Sequence, residues 1–412
     1  MNLTSQQTDR AVGALVGQAA GDALGVHYET GIRADGEPKM LGGGFGGIAP
    51  GQWSDDTEMA LCIARVAATG ADLRTEAALD AAAAGFLEWF QASPPDVGIQ
   101  TRNVLSRASA PTAEALRLEA AALHAQTGRT GGNGSLMRTS PVALAHLGDP
   151  EAIAEAARKA SILTHHDLRA GEACVLWCLA IDHAVRTGQL DVRVGLDHVD
   201  RDYWAPLLDE AELVQPEHYA HSNGWCVSAL LGAWSAISHT DGLVAGLHAA
   251  VLGGGDTDTV AAIAGQLLGA AYGASAVPSS YRRVLHGWPG MRVRDLHRLA
   301  FLTVNGGKDG PDGWPTAATI PSYAGASTRT VPHPDDPGVL LGAVGSATAG
   351  IAEAVVSLCR MGAQVEGVAP QDHVEFWMVD KEDANLDLPG QLLDAARTVK
   401  AMREEGKTVL LH

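Results

Sequence analysis

The sequence predicts a multi-domain protein. An all-α helical domain over residues 1–305 is followed by a Pro/Gly-rich linker over 306–335 and a partial α/β segment over 336–412. Three observations carry this. A chain of 412 residues exceeds one ordinary core. Ala and Gly dominate while aromatics are 5%, a composition for closely packed helices. Beyond residue 305 the pattern changes to short β-rich runs around one helix.

Ala11 to Val26 reads as a small, apolar helix whose glycines let a neighbouring helix approach closely. Met59, Cys62, Ile63 and Val66 form one face of the next helix, which begins at Trp53-Ser54-Asp55-Asp56-Thr57-Glu58. Glu76–Phe90, Ala113–Gln126, Ala152–Thr164, Ala170–Arg186 and Val227–Ser238 follow with similar periodicity. Val260, Ile263, Leu267 and Ala271 stripe the helix after Gly253-Gly254-Gly255-Asp256-Thr257-Asp258-Thr259. No strand ladder is expected before residue 305. Asn305 to Pro337 reads as a linker or long irregular loop. Strands are expected at Gly338–Leu341, Ala354–Leu358, His373–Val379 and Thr408–Leu411, with a helix at Leu388–Glu405.

A net charge of -19 opposes non-specific binding to nucleic acid or anionic membrane. Cys62, Cys174, Cys178, Cys226 and Cys359 form no CxxC pair and have no histidines at zinc spacing. Reduced core thiols are expected, with Cys359 on a core strand. The N-terminal apolar stretch lacks a basic lead and is interrupted by Asp22, unlike a signal peptide. No run reaches membrane-spanning length. A cytoplasmic protein is expected.

The two acidic helix starts, about 200 residues apart, are the most informative segments. Each has a bland reading: Ser or Asp caps a helix, early acids suit its dipole, and Asp55-x-x-Glu58 fits a capping box. The presence of both, each crowding carboxylates with hydroxyls, favours a shared cationic partner. All-oxygen ligands suit Mg²⁺, Mn²⁺ or Ca²⁺ better than zinc, and two such ions about 3.5–4 Å apart can position a water and substrate hydroxyls. Glu29 follows the first helix and could join them. Gly131-Gly132-Asn133-Gly134-Ser135-Leu136-Met137-Arg138 offers backbone N–H groups suited to phosphate oxygens. Thr164-His165-His166-Asp167 follows a helical run, and Pro94-Pro95-Asp96-Val97-Gly98 reads as a turn.

These motifs, together with Gly21-Asp22-Ala23-Leu24-Gly25, resemble in kind and order those of the ADP-ribosylglycohydrolases, most nearly the bacterial dinitrogenase reductase-activating branch. The resemblance covers residues 8 to 300. It implies a compact all-α domain with two Mg²⁺ or Mn²⁺ ions held by Ser54, Asp55, Asp56, Asp256, Asp258 and Thr259. Ser54 replaces the commoner Thr and keeps the hydroxyl. Glu29 falls on the acidic residue beside the metals and Asp96 on the carboxylate acting at the anomeric centre or as acid/base. Asn133, Gly134 and Ser135 fall on the diphosphate loop, His165 on a histidine that meets substrate, and Trp225 on an aromatic near the ligand. The implied activity is hydrolysis of the glycosidic bond between the distal ribose of ADP-ribose and an acceptor, arginine favoured, with ADP-ribose released. The partner is then an ADP-ribosylated protein or small molecule, with ADP-ribosylated nucleic acid still open. Alternatives are an ADP-ribose-binding pseudoenzyme and a di-metal nucleotide pyrophosphohydrolase.

The C-terminal runs resemble the dual-specificity protein phosphatases, with Asp380 at the position of the general acid. In that family the nucleophilic Cys follows the residue matched by His412. Phosphatase activity is therefore not expected, and a fragment of a longer two-enzyme protein is.

Overall fold

Helix α1 starts where Thr4 and Gln7 cap each other: the Gln7 amide donates to the Thr4 hydroxyl at 3.2 Å and the Thr4 amide to the Gln7 side chain at 3.0 Å. The computed structural model describes residues 3–348 and 350–412. Its helices are α1 (Ser5–Gly25), α2 (Asp55–Ala67), α3 (Glu76–Gln91), α4 (Ile99–Leu105), α5 (Ala113–Thr127), α6 (Ser140–Ala145), α7 (Pro150–Ser161) and α8 (Leu168–Thr187). They continue with α9 (Arg201–Ala211), α10 (Cys226–Ser238), α11 (Leu243–Leu252), α12 (Thr257–Tyr272), α13 (Ser279–Arg282) and α14 (Val293–Val304), while α15 (Leu388–Glu404) belongs to the C-terminal unit. None is long and apolar enough to cross a membrane.

The helical region is built around α1, buried from Ala11 to its end, and α12, buried along nearly its whole length. Small residues set their separation. A Cβ at Gly13 would lie 2.1 Å from the Gly269 carbonyl oxygen, at Gly17 2.3 Å from that of Gly265, and at Gly21 2.0 Å from that of Ala261. The backbones therefore touch along three successive turns. α8, α10 and α11 pack on α12, and α14 packs on α1.

The helices expected from periodicity are present, with shifted ends. α7 stops at Ser161, three residues early, so Thr164 and His165 lie in the connection to α8. One expectation fails outright: β1 (His286–Gly287) and β2 (Met291–Arg292) form an antiparallel hairpin inside the helical region. Two-residue strands are too short to leave an alternating pattern.

The C-terminal unit holds β3 (Thr330–Pro332), β4 (Val339–Gly342), β5 (Ala354–Ser357), β6 (His373–Glu375) and β7 (Val409–Leu411). Their order is β3-β4-β7-β5-β6, with β3 antiparallel to β4 and all other pairs parallel. Val356, Val374 and Val409 face α15, against Ala395 and Met402, while Val355 and Leu410 face the opposite layer with Val365 and Val368. Burial on both faces is why these strands read as continuous apolar runs. Cys359 lies beyond the end of β5 and is half-buried, not on a core strand. The expected linker is also more than a spacer. It contributes β3, and Trp314, 3% exposed, packs on Phe301 and His297.

The unit is docked on the helical region. Ser279 donates to Asp394 through its amide and hydroxyl at 2.9 and 2.6 Å. Arg282 reaches the Glu375 carbonyl at 2.6 Å and its guanidinium lies over the Phe376 ring. Arg283 pairs with Asp372 and Glu405, and Arg294 with Glu375.

The glycine seam makes a clear prediction. Gly17→Ala should cost about 1–3 kcal/mol in urea unfolding, despite the gain in helix propensity, because the methyl has nowhere to go. Gly171→Ala, in α8 but away from the seam, should instead be neutral or stabilise by about 0.5–1 kcal/mol. Equal responses would remove the seam as a packing constraint.

Candidate metal and ligand site

Three helices place buried carboxylates at one point. Asp22 comes from the last turn but one of α1, Asp56 from the start of α2 and Asp258 from the start of α12; they are 0%, 0% and 2% exposed. One oxygen from each lies within 4.8 Å of the others. A second group, Glu29, Asp96 and Asp258, meets the same criterion on the cleft side, so Asp258 belongs to both.

The capping explanation of the acidic helix starts does not hold. Ser54 and Asp256 occupy the N-cap positions, yet neither side chain caps its own helix. Asp22 does that work for α2 from another helix. Its Oδ1 accepts from the Ser54 amide and hydroxyl at 2.8 Å each, and its Oδ2 from the Thr57 amide at 3.0 Å and hydroxyl at 2.6 Å. Glu58, the supposed capping-box partner, instead accepts from the Trp89 indole at 2.6 Å.

Asp22 is thereby satisfied, but its neighbours are not. Ser54 has one hydroxyl proton, and both Asp22 and Asp56 Oδ2 (3.0 Å) lie within its reach. Asp56 Oδ1 is buried with no hydrogen-bond partner. Burial raises the pKa of Asp22 to about 6 and of Glu29 to about 7. Asp55, Asp56 and Asp258 are pushed well up by burial and then by neighbouring carboxylates, Asp22 among them in each case, and Asp96 is raised by burial. Crowded carboxylates with an orphaned oxygen and no buried cation among them are the donor set a hard divalent ion fits.

The other predicted residues divide. Asp55 accepts from the Gly98 amide at 3.1 Å, which ties the Asp96 turn to α2. Thr259 points its hydroxyl toward Asp56 at 3.5 Å, and Asp256 accepts from the Asn133 side chain at 2.7 Å. Glu29 accepts from the Phe45 amide at 3.0 Å. Gly134 and His165 line the cleft with Glu29, Asp55, Asp96, Asn133, Asp256, Asp258 and Thr259. The Ser135 side chain does not; it accepts from Ser161 at 2.9 Å inside the core. Trp225 caps α10 beside Gly131 and Gly132 and is 43% exposed. The expected free amides are partly spent, since Gly132 N–H donates to Gln100 and Asn133 N–H to the Gly224 carbonyl.

Three contributors are absent from the sequence reading of the site. Asp22 is a lone charge in an apolar run, and that is the signal that could have found it. Asn223 accepts from the Asp256 amide at 2.9 Å and donates to the Gly254 carbonyl at 2.9 Å, fixing the loop before α12; nothing in its neighbourhood marks it. Arg129 lines the cleft as a cation among acids. The cleft itself is open and about 910 Å³, within the range of small-molecule sites.

Comparison with known proteins agrees with this geometry. The family described as ADP-ribosylglycohydrolase matches residues 3–309. The ADP-ribosyl-[dinitrogen reductase] glycohydrolase of Rhodospirillum rubrum is 31% identical over 293 residues, 66% of this chain and 89% of that protein. The ADP-ribosylarginine hydrolase Tri1 of Pseudomonas putida (strain GB-1) is 29% identical over 295 residues, 68% of this chain and 75% of its own. A solved ADP-ribosylglycohydrolase-related protein complex has a chain that superposes with a TM-score of 0.55 at 29% identity, covering 73% of this chain and 99% of that one. The chain belongs to the ADP-ribosylglycohydrolase family and is a hydrolase acting on glycosidic bonds.

Proposed function

We propose that the protein cleaves the bond between the distal ribose of ADP-ribose and an acceptor, with an arginine guanidinium favoured, and releases ADP-ribose. The observation that carries this is the convergence of Asp22, Asp56 and Asp258 beneath Glu29 and Asp96, with Asp56 Oδ1 unpartnered, at the floor of a nucleotide-sized cleft. The name of the Tri1 relatives, ADP-ribosylarginine hydrolase, supports the arginine preference, and that of the Rhodospirillum relative supports a protein-borne ADP-ribosyl group. Ser54, Asp55, Asp56, Asp256, Asp258 and Thr259 would hold two Mg²⁺ or Mn²⁺ ions, with Asp22 orienting Ser54 beside them. Such ions, when bound, supply chelation of vicinal hydroxyls and activation of water.

The protein groups supply the rest. Glu29 and Asp96 are half-buried at the cleft face and burial raises both; Glu29, raised to about 7, can hold or release a proton near neutrality. Their charges also face the carbon where positive character develops as the glycosidic bond breaks. Gly134 and the Arg129 cation line the cleft and suit a diphosphate, and exposed Phe45 and Ile99 line it as apolar surface. We further read residues 336–412 as a dual-specificity-phosphatase-like unit. A parallel four-stranded core with an antiparallel edge and a helix between β6 and β7 supports that reading.

Turnover should be measured on arginine-, serine- and nucleic-acid-linked ADP-ribose with Mg²⁺ and with Mn²⁺. Release of intact ADP-ribose from the arginine substrate is expected, lost on chelation and restored by metal. Asp96→Asn should lower kcat by about 10²–10⁴-fold. Metal-dependent binding without release would indicate a pseudoenzyme, and AMP among the products would indicate a pyrophosphohydrolase.

The acids also predict a pH signature. Asp22 and Glu29 carry folded-state pKa values of about 6 and about 7, above their ordinary values. Groups raised on folding favour the native state at low pH, and that contribution disappears as pH rises through the folded value. Chelated protein should therefore lose Tm between pH 5 and 8, and saturating Mg²⁺ or Mn²⁺ should raise Tm more at pH 8 than at pH 5. An equal metal increment at both would contradict a charge-balancing ion.

A further inference from the structure

Arg138, in the segment after Gly134, is 1% exposed and forms no ion pair with a carboxylate of the described residues. Its guanidinium lies over the Phe86 ring at 4.4 Å and makes one short hydrogen bond, from Nη2 to the Thr164 hydroxyl at 2.7 Å. Its remaining contacts, to the Ala160 carbonyl at 3.5 Å and Met59 sulfur at 3.6 Å, are long. A buried cation with so few partners is a costly way to fill core volume, because an apolar side chain would pack there without the desolvation penalty. Its short bond deserves a chemical reason.

Thr164 supplies one. It is fully buried, and its hydroxyl oxygen is also 2.7 Å from His165 Nδ1. A guanidinium has no lone pair to offer, so Arg138 can only donate to that oxygen. The Thr164 proton then has a single acceptor among the described residues, His165 Nδ1. The reverse arrangement, with Nδ1–H donating to Thr164, would leave a buried hydroxyl proton unbonded at about 1–3 kcal/mol. The other ring nitrogen, Nε2, faces the cleft wall. A Cβ on Gly134 would lie 3.1 Å from it and one on Gly132 3.4 Å, so both glycines leave room for the ring.

We propose that Arg138 and Thr164 are positioning residues that lock His165 as the neutral Nε2–H tautomer, so that His165 donates a hydrogen bond to a substrate oxygen in the cleft. Burial and the nearby Arg138 charge also hold the imidazole well below its ordinary pKa, which agrees with a neutral ring. With its cleft-facing nitrogen already protonated, His165 is not the base that activates water, and that role falls to Glu29 or Asp96. The substrate half of this inference rests on the proposed ADP-ribosyl hydrolase activity; the tautomer does not.

The tautomer can be read directly from long-range ¹H–¹⁵N correlation spectra of full-length protein labelled at histidine, with the His165 signal assigned by its loss in His165→Gln. At pH 7 a protonated Nε2 and a bare Nδ1 are expected. Thr164→Val should move the pattern toward that of an unrestrained imidazole and raise KM for ADP-ribosylarginine about tenfold with little change in kcat, the loss of about one hydrogen bond. Thr164→Ser should restore both readouts. A wild-type spectrum showing Nδ1–H or a doubly protonated ring would overturn the relay, as would a Thr164→Val protein with an unmoved spectrum and KM. Should Thr164→Val not fold, the wild-type and Thr164→Ser spectra still decide. An Nε2–H spectrum with no turnover of any ADP-ribosyl substrate would remove the functional reading and leave the relay standing.

Discussion

Everything at the site depends on how closely α1 and α12 lie. Asp22 and Asp258 are separated by more than 200 residues, and they share a point in space because the two helices touch backbone to backbone. Gly25 shows the limit: a Cβ there would lie 2.4 Å from the Asp258 Cα. Each interior helical glycine costs roughly 1 kcal/mol relative to alanine. The chain accepts this at successive turns of α1 because no side chain, however small, permits the same approach. The seam is thus a positional device, and the helices that pack around it supply the stability it gives up.

The carboxylates show a similar exchange. Asp22 is solvated by protein, with four donors from the first turn of α2. Asp56 and Asp258 have fewer donors, with Asp56 Oδ1 unpartnered and Asp258 accepting from the Thr259 amide at 2.9 Å, and burial followed by neighbouring carboxylates pushes both well up. Asp22 therefore connects structure to chemistry. By taking the Ser54 and Thr57 amides it frees the α2 start from self-capping, and Asp55 is left lining the cleft while Asp56 stays buried with an unpartnered oxygen. A self-capped α2 would have spent Ser54 or Asp55 on its own amides.

This explains what was legible in the sequence and what was not. The acidic helix starts, the glycine-bearing first helix and the parallel-strand runs are local patterns, and they were readable. So was the nearness of Glu29 and Asp96 to the second acidic stretch, through the family resemblance, and the two do meet Asp258. Asp22 and Asn223 act through partners 30 or more residues away; Asp22 leaves only the mark of a lone charge in an apolar run, which does not say what it binds, and Asn223 leaves none. Capping appeared plausible because Ser54 and Asp256 do occupy N-cap positions. What sequence cannot display is that the donors at those positions are claimed from elsewhere. The direction of the Ser135 side chain was hidden for the opposite reason: a hydroxyl in a glycine-rich turn can face the cleft or the core, and only packing against Ser161 and Cys174 decides.

The C-terminal unit extends the same reasoning to the whole molecule. With a net charge of -19, the concentration of Arg282, Arg283, Arg292, Arg294 and Arg298 in one short stretch is uneven. Three of these meet Asp394, Asp372, Glu405 and Glu375 of the α/β unit. Arg282, paired with Asp394, and Glu375, paired with Arg294, are largely withdrawn from water, where pairing matters most, since removing either partner would leave a buried charge uncompensated. The aromatic contacts of His297 with Trp377 and of Arg360 with Trp314 close the same junction. A tether that merely joined two independent units would need neither. The basic stretch follows α13 and carries the β1–β2 hairpin, whose His286 carbonyl accepts from the Trp53 amide one residue before Ser54. The docking surface is thereby continuous, through one hairpin, with the backbone that begins the acidic helix α2.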